Sequence, residues 1–200
     1  MSVDHKTIAV LMGGPGSERE VSIASGKSVS KALAEKGAAV IDVVLEDESL
    51  ELEDEVDLVF NVIHGTFGED GSLQKILNER RIPYTGAGAS SSELAFDKLL
   101  SKKSFVEHGV NTPLFDFIST SGESQTSIKE PYVIKPPKEG SSVGVHIIRY
   151  ASEFDEAIED VAKYDEIALV EEFISGKELT VGILNGEALP IVHIQPESGF

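Results

Sequence analysis

The stretch IAVLMGGPG, residues 8–16, decides the fold. Five apolar residues, Ile8 to Met12, stop abruptly at Gly13-Gly14-Pro15-Gly16, the pattern of a buried strand that runs into a tight turn. Glu18 to Lys36 follows as a helix, with Val21, Ala24, Val29, Ala32 and Leu33 on one half of its wheel. Gly37 is placed to end it in a left-handed conformation. Val40 to Leu45, an acidic loop and a second buried run, Leu58 to Ile63, continue the alternation. Beyond a glycine-rich loop, Leu73, Ile76 and Leu77 stand at helical spacing behind Asp70, a good N-cap residue. Strands alternating with helices predict parallel βαβ units with right-handed crossovers, an α/β fold.

After Gly86-Ala87-Gly88 the pattern changes. One helix is expected from Asp97 to His108, ending at Gly109, and then a short strand at Leu114 to Ile118 and a polar loop, Ser119 to Lys129. Tyr132 to Lys135 and Val145 to Ile148 read as strands around a glycine-serine loop. Ser152 is expected to cap a helix whose Phe154, Ala157, Ile158, Val161 and Ala162 follow the amphipathic rule. Ile167 to Val170 and Leu179 to Leu184 are further strands, and Asn185-Gly186 makes a two-residue hairpin turn into Leu189 to Ile194. This half reads as α+β with antiparallel pairing. The last residues, HIQPESGF (193–200), follow a strand without a terminating signal, so the natural chain is expected to continue.

Composition narrows the functions. The 200 residues carry 17 basic and 35 acidic side chains, a formal charge of −18, which argues against binding a nucleic-acid backbone or an anionic membrane. Eight of the acids lie between Glu46 and Asp57 with no base among them, the pattern of a solvated loop. The absence of cysteine excludes disulfides, zinc–thiolate sites and a cysteine nucleophile. No apolar run approaches the roughly 18 residues of a membrane helix. MSVDHKT lacks the character of a signal peptide, so the cytoplasm is the expected setting.

Four strings can carry chemistry. The loop Gly13 to Ser22 joins a strand to a helix start, where free N–H groups suit an anion; its spacing matches no standard phosphate loop, and a simple tight turn fits equally well. His64 to Gly71 follows a buried strand, the place where open α/β sheets gather ligand groups. The other histidines have no partners at ligand spacing, which argues against a histidine-held metal. Lys135 to Gly144 places a lysine at a strand end before a glycine-serine loop that can fold over a polyphosphate. Lys98 offers a second cation, while Lys102 and Lys103 read as an ordinary basic helix face. Glu171 to Glu178 puts carboxylates after an apolar strand, able to accept from an amino group and from sugar hydroxyls.

Taken in order, GGPGSEREVS (13–22), HGTFGEDGSLQ (64–74), PYTGAG (83–88) with FDK (96–98), IKPPKEGSSVGV (134–145), VEEFISGKELTVGIL (170–184) and IQPESGF (194–200) resemble the D-alanine–D-alanine ligase family of ATP-grasp enzymes. The resemblance implies a Rossmann-like substrate-binding domain over 1–88, a central ATP-grasp α+β domain over 89–170, and the start of a C-terminal ATP-grasp part over 171–200. It implies ligation of two D-alanines with ATP through an acyl phosphate, for peptidoglycan precursors. Glu18 would hold the first D-alanine ammonium and orient Ser141, with His64 close to that substrate. Lys98 and Lys135 would bind the α- and β-phosphates and Ser142 the γ-phosphate. Glu171 would accept from the adenine amino group, the Phe173–Ile174 backbone would meet the ring edge, and Glu178 would hold the ribose. ATP and Mg²⁺ (or Mn²⁺) are the implied cofactors, D-alanine and ATP the partners, and a homodimer is common among relatives.

Two departures bear on this. Gly16 stands where many relatives carry serine, and the family's metal ligands are expected beyond Phe200. The 200 residues alone are therefore expected to be inactive. Two other readings remain: a D-alanine–D-lactate or D-alanine–D-serine ligase, and a non-catalytic nucleotide-binding module that kept the fold. The retained Glu18, Lys98, Lys135, Ser141 and Glu178 count against the second.

Overall fold

The computed structural model describes residues 5–52, 55–122 and 124–195. Glu53 and Asp54 of the acidic loop, and 196–200 of the last motif, lie outside the described residues.

Strand β1 (Thr7–Gly13) is central in a three-stranded parallel sheet, with β2 (Ala39–Leu45) on one side and β3 (Leu58–Asn61) on the other. Its side chains alternate between two cores. Ile8, Val10 and Met12 face helix α1 (Arg19–Glu35), where Ile23, Val29 and Leu33 pack. Ala9 and Leu11 face Phe67 and the Leu73 and Leu77 side chains of α2 (Ser72–Glu79). The expected βαβ order is what the structure contains, and Gly37 has the left-handed φ of +87°.

The α1 face keeps Val29 and Leu33 but otherwise differs from the one expected. Val21, Ala24 and Ala32 are exposed, and the buried stripe is Ser22, Gly26 and Ser30. Small residues let the helix lie close on β1: a Cβ on Gly26 would stand 2.6 Å from the Met12 Cβ. Ser22 Oγ accepts from the Gly13 N–H at 2.9 Å and donates to the Val62 carbonyl at 2.6 Å. It thus ties the loop after β1 to the chain after β3. Asp70 also sits one position earlier than a side-chain cap should. Gly71 is the N-cap of α2, while Asp70 accepts from Ser72 and Phe67 N–H groups and closes the preceding loop.

The single helix expected over 97–108 is the second of two, α3 (Ala89–Phe96) and α4 (Lys98–Glu107). Asp97 breaks them apart: it is extended, and its carboxylate accepts from Leu99 N–H at 2.8 Å. The second sheet is antiparallel, ordered β4 (Phe115–Ser119), β7 (Ile167–Glu172), β5 (Tyr132–Lys135), β6 (His146–Ile148). Ala168 and Val170 face α5 (Phe154–Val161) together with Ile134, Ala157, Ile158 and Val161. Period two puts Lys135, Val133, Leu169 and Glu171 on the opposite face.

Ser152 is not the cap of α5. A 3₁₀ turn, Ala151–Glu153, leads into it, and the Glu153 carboxylate accepts from the Arg149 and Tyr150 N–H groups. The last strands are shorter than expected: β8 (Glu178–Thr180) pairs β11 (Val192–Ile194), and β9 (Ile183–Leu184) pairs β10 (Glu187–Ala188). Asn185 and Gly186, at φ +52° and +84°, form the hairpin turn as read. No described helix is long and apolar enough to cross a membrane.

Replacing Ser22 with alanine leaves the Gly13 N–H and the Val62 carbonyl without their partner, so urea unfolding should show a loss of about 1–3 kcal/mol. Unchanged stability would contradict the tie.

Candidate active site between the two sheets

Each sheet delivers its polar loops to one gap. From the parallel sheet come Glu18, at the start of α1, and His64, after β3. From the antiparallel sheet comes the ten-residue connection between β5 and β6. Its serines take left-handed conformations, Ser141 at φ +49° and Ser142 at φ +61°, and Gly144 follows at +65°. A Cβ on Gly144 would stand 3.0 Å from the Pro136 ring, so the loop doubles back tightly on itself.

Ser141 Oγ donates to Glu18 Oε1 at 2.5 Å, a charge-assisted bond between the two halves. Glu18, His64, Thr66, Glu139, Gly140 and Tyr164 help line a cavity of about 520 Å³ at this junction. His64 Nδ1 lies 3.9 Å from Glu69 Oε1, and its buried Nε2 has no hydrogen-bond partner. An orphaned buried nitrogen calls for a ligand group or a water. A larger cavity, about 670 Å³, lies between residues 124–132 and the start of α5 and contains none of these groups.

The cations stand deeper, beneath the same loop. Lys98 opens α4, and its ammonium donates to the carbonyls of Glu139 at 2.6 Å and Pro137 at 3.4 Å. Burial, and then the neighbouring charge of Lys135, hold the Lys98 ammonium below its ordinary pKa. Lys135 ends β5 opposite Leu169, so it is the diagonal neighbour of Glu171 on β7 and forms an ion pair with it.

Glu171 also accepts from Lys102 Nζ at 2.7 Å. Burial pushes the Glu171 carboxyl up, but the hydrogen bonds from Lys102 and Lys135 outweigh it and leave the group below the ordinary glutamate range. Lys102 corrects the sequence reading: it belongs to no exposed basic face but is buried, with 6% of its surface accessible. The signal was present, since Lys98 and Lys102 are four apart on one helix and share a face.

The rest of the predicted set lies further along. Phe173 follows β7, its N–H donates to the Pro131 carbonyl at 3.3 Å, and the Arg149 guanidinium lies 5.6 Å from its ring. That N–H is therefore already bonded within the chain. Ile174 and Glu178 are exposed, and Glu178 opens β8. Two ammonium groups, those of Lys102 and Lys135, thus hold one carboxylate, and a third, that of Lys98, stands beside Lys135 on the carbonyls of the glycine-serine loop.

A parallel α/β sheet, an antiparallel sheet carrying paired lysines, and a glycine-serine loop between two of its strands define an ATP-grasp architecture. Comparison with known proteins narrows it. A model of the D-Ala-D-Ala ligase N-terminus matches residues 42–87, and one of the D-Ala-D-Ala ligase C-terminus matches residues 114–200. A D-alanine--D-alanine ligase of Methylacidiphilum infernorum is 45% identical over 193 residues, which cover 96% of this chain and 63% of that protein. That of Aquifex aeolicus is 44% identical over 196 residues, covering 96% and 67%. The crystal structure of the Bacillus anthracis enzyme complexed with ATP superposes with a TM-score of 0.88 at 30% identity, covering 98% of this chain and 68% of that one. The chain belongs to the D-alanine–D-alanine ligase family. It spans roughly two thirds of the length of these relatives, 63% for the first and 67% for the second.

Because the folded pKa of Glu171 is depressed, its contribution to stability is complete above the ordinary value of about 4.3 and is lost as pH falls through the lower folded value. The stability gap between the parent and Glu171→Gln, measured by urea unfolding, should be constant at neutral pH and narrow below about pH 4.3. A gap that stays constant down to pH 3 would contradict the ionised, lysine-held carboxylate.

Proposed function

We propose that the chain supplies the ATP-binding and first-substrate part of an ADP-forming ligase that joins two D-alanines for peptidoglycan precursor synthesis. The observation that carries this reading is that Lys98 and Lys135 stand together at the base of one loop whose Ser141 is bonded to Glu18 across the gap.

In this reading the nucleotide phosphates replace the carbonyls and carboxylate that hold Lys98 and Lys135 in the ligand-free state. The two cations repel each other, and an anion between them removes that cost. Ser142 meets the γ-phosphate. Glu171 accepts from the adenine amino group, the Phe173–Ile174 backbone meets the ring edge, and Glu178 takes the ribose hydroxyls. Glu18 holds the ammonium of the first D-alanine and orients Ser141, while His64, whose buried Nε2 is unpartnered, lines the same cavity close to that substrate. The carboxylate of the first D-alanine, fixed beside the γ-phosphate, attacks it and releases ADP, and the loop keeps water from the resulting acyl phosphate.

The domain division at 88/89 and 170/171 is part of the proposal. The lack of a shared strand between the two sheets supports the first boundary, while β7 itself runs on to Glu172. Mg²⁺ or Mn²⁺ belongs to the reading through the family. Among the described residues no group of three or more His, Asp or Glu side chains gathers to hold a metal, so these residues do not fit the ion by themselves. A cytoplasmic location and a homodimer are further parts of the same reading.

In the full-length protein, Lys135→Ala should lower ATP turnover by more than about a hundredfold. Its thermal midpoint should change little, because Lys102 still neutralises Glu171. Retained turnover refutes the role. Glu18→Gln should raise the KM for the first D-alanine roughly tenfold while barely moving that for ATP. Equal effects on both substrates would count against its assignment.

A further inference from the structure

If Lys135 serves the phosphates, it cannot also remain on Glu171, yet Glu171 must stay ionised and fixed to accept from an adenine amino group. Lys102 resolves this conflict. Its ammonium has three donors, and three acceptors surround it: Glu171 Oε2 at 2.7 Å, Thr112 Oγ1 at 2.6 Å and the Pro113 carbonyl at 3.5 Å. Its charge also lies 5.1 Å from the centre of the Phe115 ring, and Phe115 is the β4 neighbour of Glu171 in register. The side chain is 8% exposed, against 21% for Lys135. Lys135 is placed to move to a ligand, and Lys102 is placed to stay.

We propose that Lys102 is a positioning residue for the nucleotide base, holding Glu171 in place and ionised after Lys135 has turned to the phosphates, so that Glu171 acts only as an acceptor and selects adenine over guanine. This rests on the reading of Glu171 as the group that faces the base. An ionised carboxylate welcomes the exocyclic amino group of adenine and repels the carbonyl at the same position of guanine. The charged groups that reach Glu171 are Lys102 and Lys98 from α4 and Lys135 from β5, while β4 contributes the uncharged Phe115. Without Lys102, and with Lys135 engaged by phosphate, burial favours a protonated Glu171, which can donate to the guanine carbonyl.

The test is steady-state ligation by the full-length protein with ATP and with GTP, for Lys102→Met, Lys102→Gln, Lys102→Arg and Glu171→Gln. Lys102→Met should raise the KM for ATP roughly tenfold with kcat within about twofold, and lower the kcat/KM preference for ATP over GTP by about tenfold or more. Lys102→Gln, neutral but still a donor, should lose the preference as well, which covers the case in which the methionine variant does not fold. Lys102→Arg should keep most of it. An unchanged preference in both neutral variants overturns the proposal. So does a joint fall in kcat and thermal midpoint that arginine does not rescue, since that marks a purely structural lysine. If Glu171→Gln itself changes neither the ATP KM nor the preference, the base-site reading fails. If Glu171→Gln changes them and the neutral Lys102 variants do not, only the role of Lys102 fails.

Discussion

The hydrogen bond from Ser141 to Glu18 spans 123 positions of sequence and joins two sheets that share no strand. Everything proposed for the site depends on that closure. The parallel sheet on its own offers a carboxylate at a helix start and a histidine with an orphaned nitrogen. The antiparallel sheet on its own offers lysines under a loop. Only when the loop lies over the gap do the proposed amino-acid site and the proposed polyanion site become neighbours. The buried Ser22 supports this from behind, because it fixes the two loops of the parallel sheet relative to each other.

Charge follows the same logic of placement. The chain carries a net −18, which taken as a whole would repel a nucleotide. At the base of the β5–β6 loop the balance reverses locally, with Lys102 and Lys135 on Glu171 and Lys98 beside Lys135. Of the acidic stretch, Glu46 pairs with Arg19 at 2.5 Å and Asp57 with Lys6 at 3.0 Å, both at the surface. Surface pairs of this kind contribute little to stability and leave the cleft field intact.

Much of this was legible in the sequence, for identifiable reasons. Strand β1 and its glycine turn were readable because five apolar residues can only be a buried strand when glycines end the run so soon. The hairpin at Asn185-Gly186 was readable because its turn needs two positive φ angles. What failed turned on packing and on polar partners. The buried stripe of α1 is Ser22, Gly26 and Ser30, since close approach to Met12 favours small residues over apolar ones. The helix read over 97–108 is there, capped by the Asp97 carboxylate, but the helix before it, Ala89–Phe96, went unread because its run of serines shows no apolar period. Lys102 looked like surface, and it is buried because Glu171, 69 positions later, meets it.

The most direct measurement is a crystal structure of the protein with D-alanine and a non-hydrolysable ATP analogue. The account predicts the phosphates between Lys98 and Lys135, Lys135 separated from Glu171, Lys102 still bonded to it, and adenine at the Glu171 carboxylate. D-alanine should lie between Glu18 and His64. A nucleotide bound elsewhere, with the Lys135–Glu171 pair intact, would contradict it.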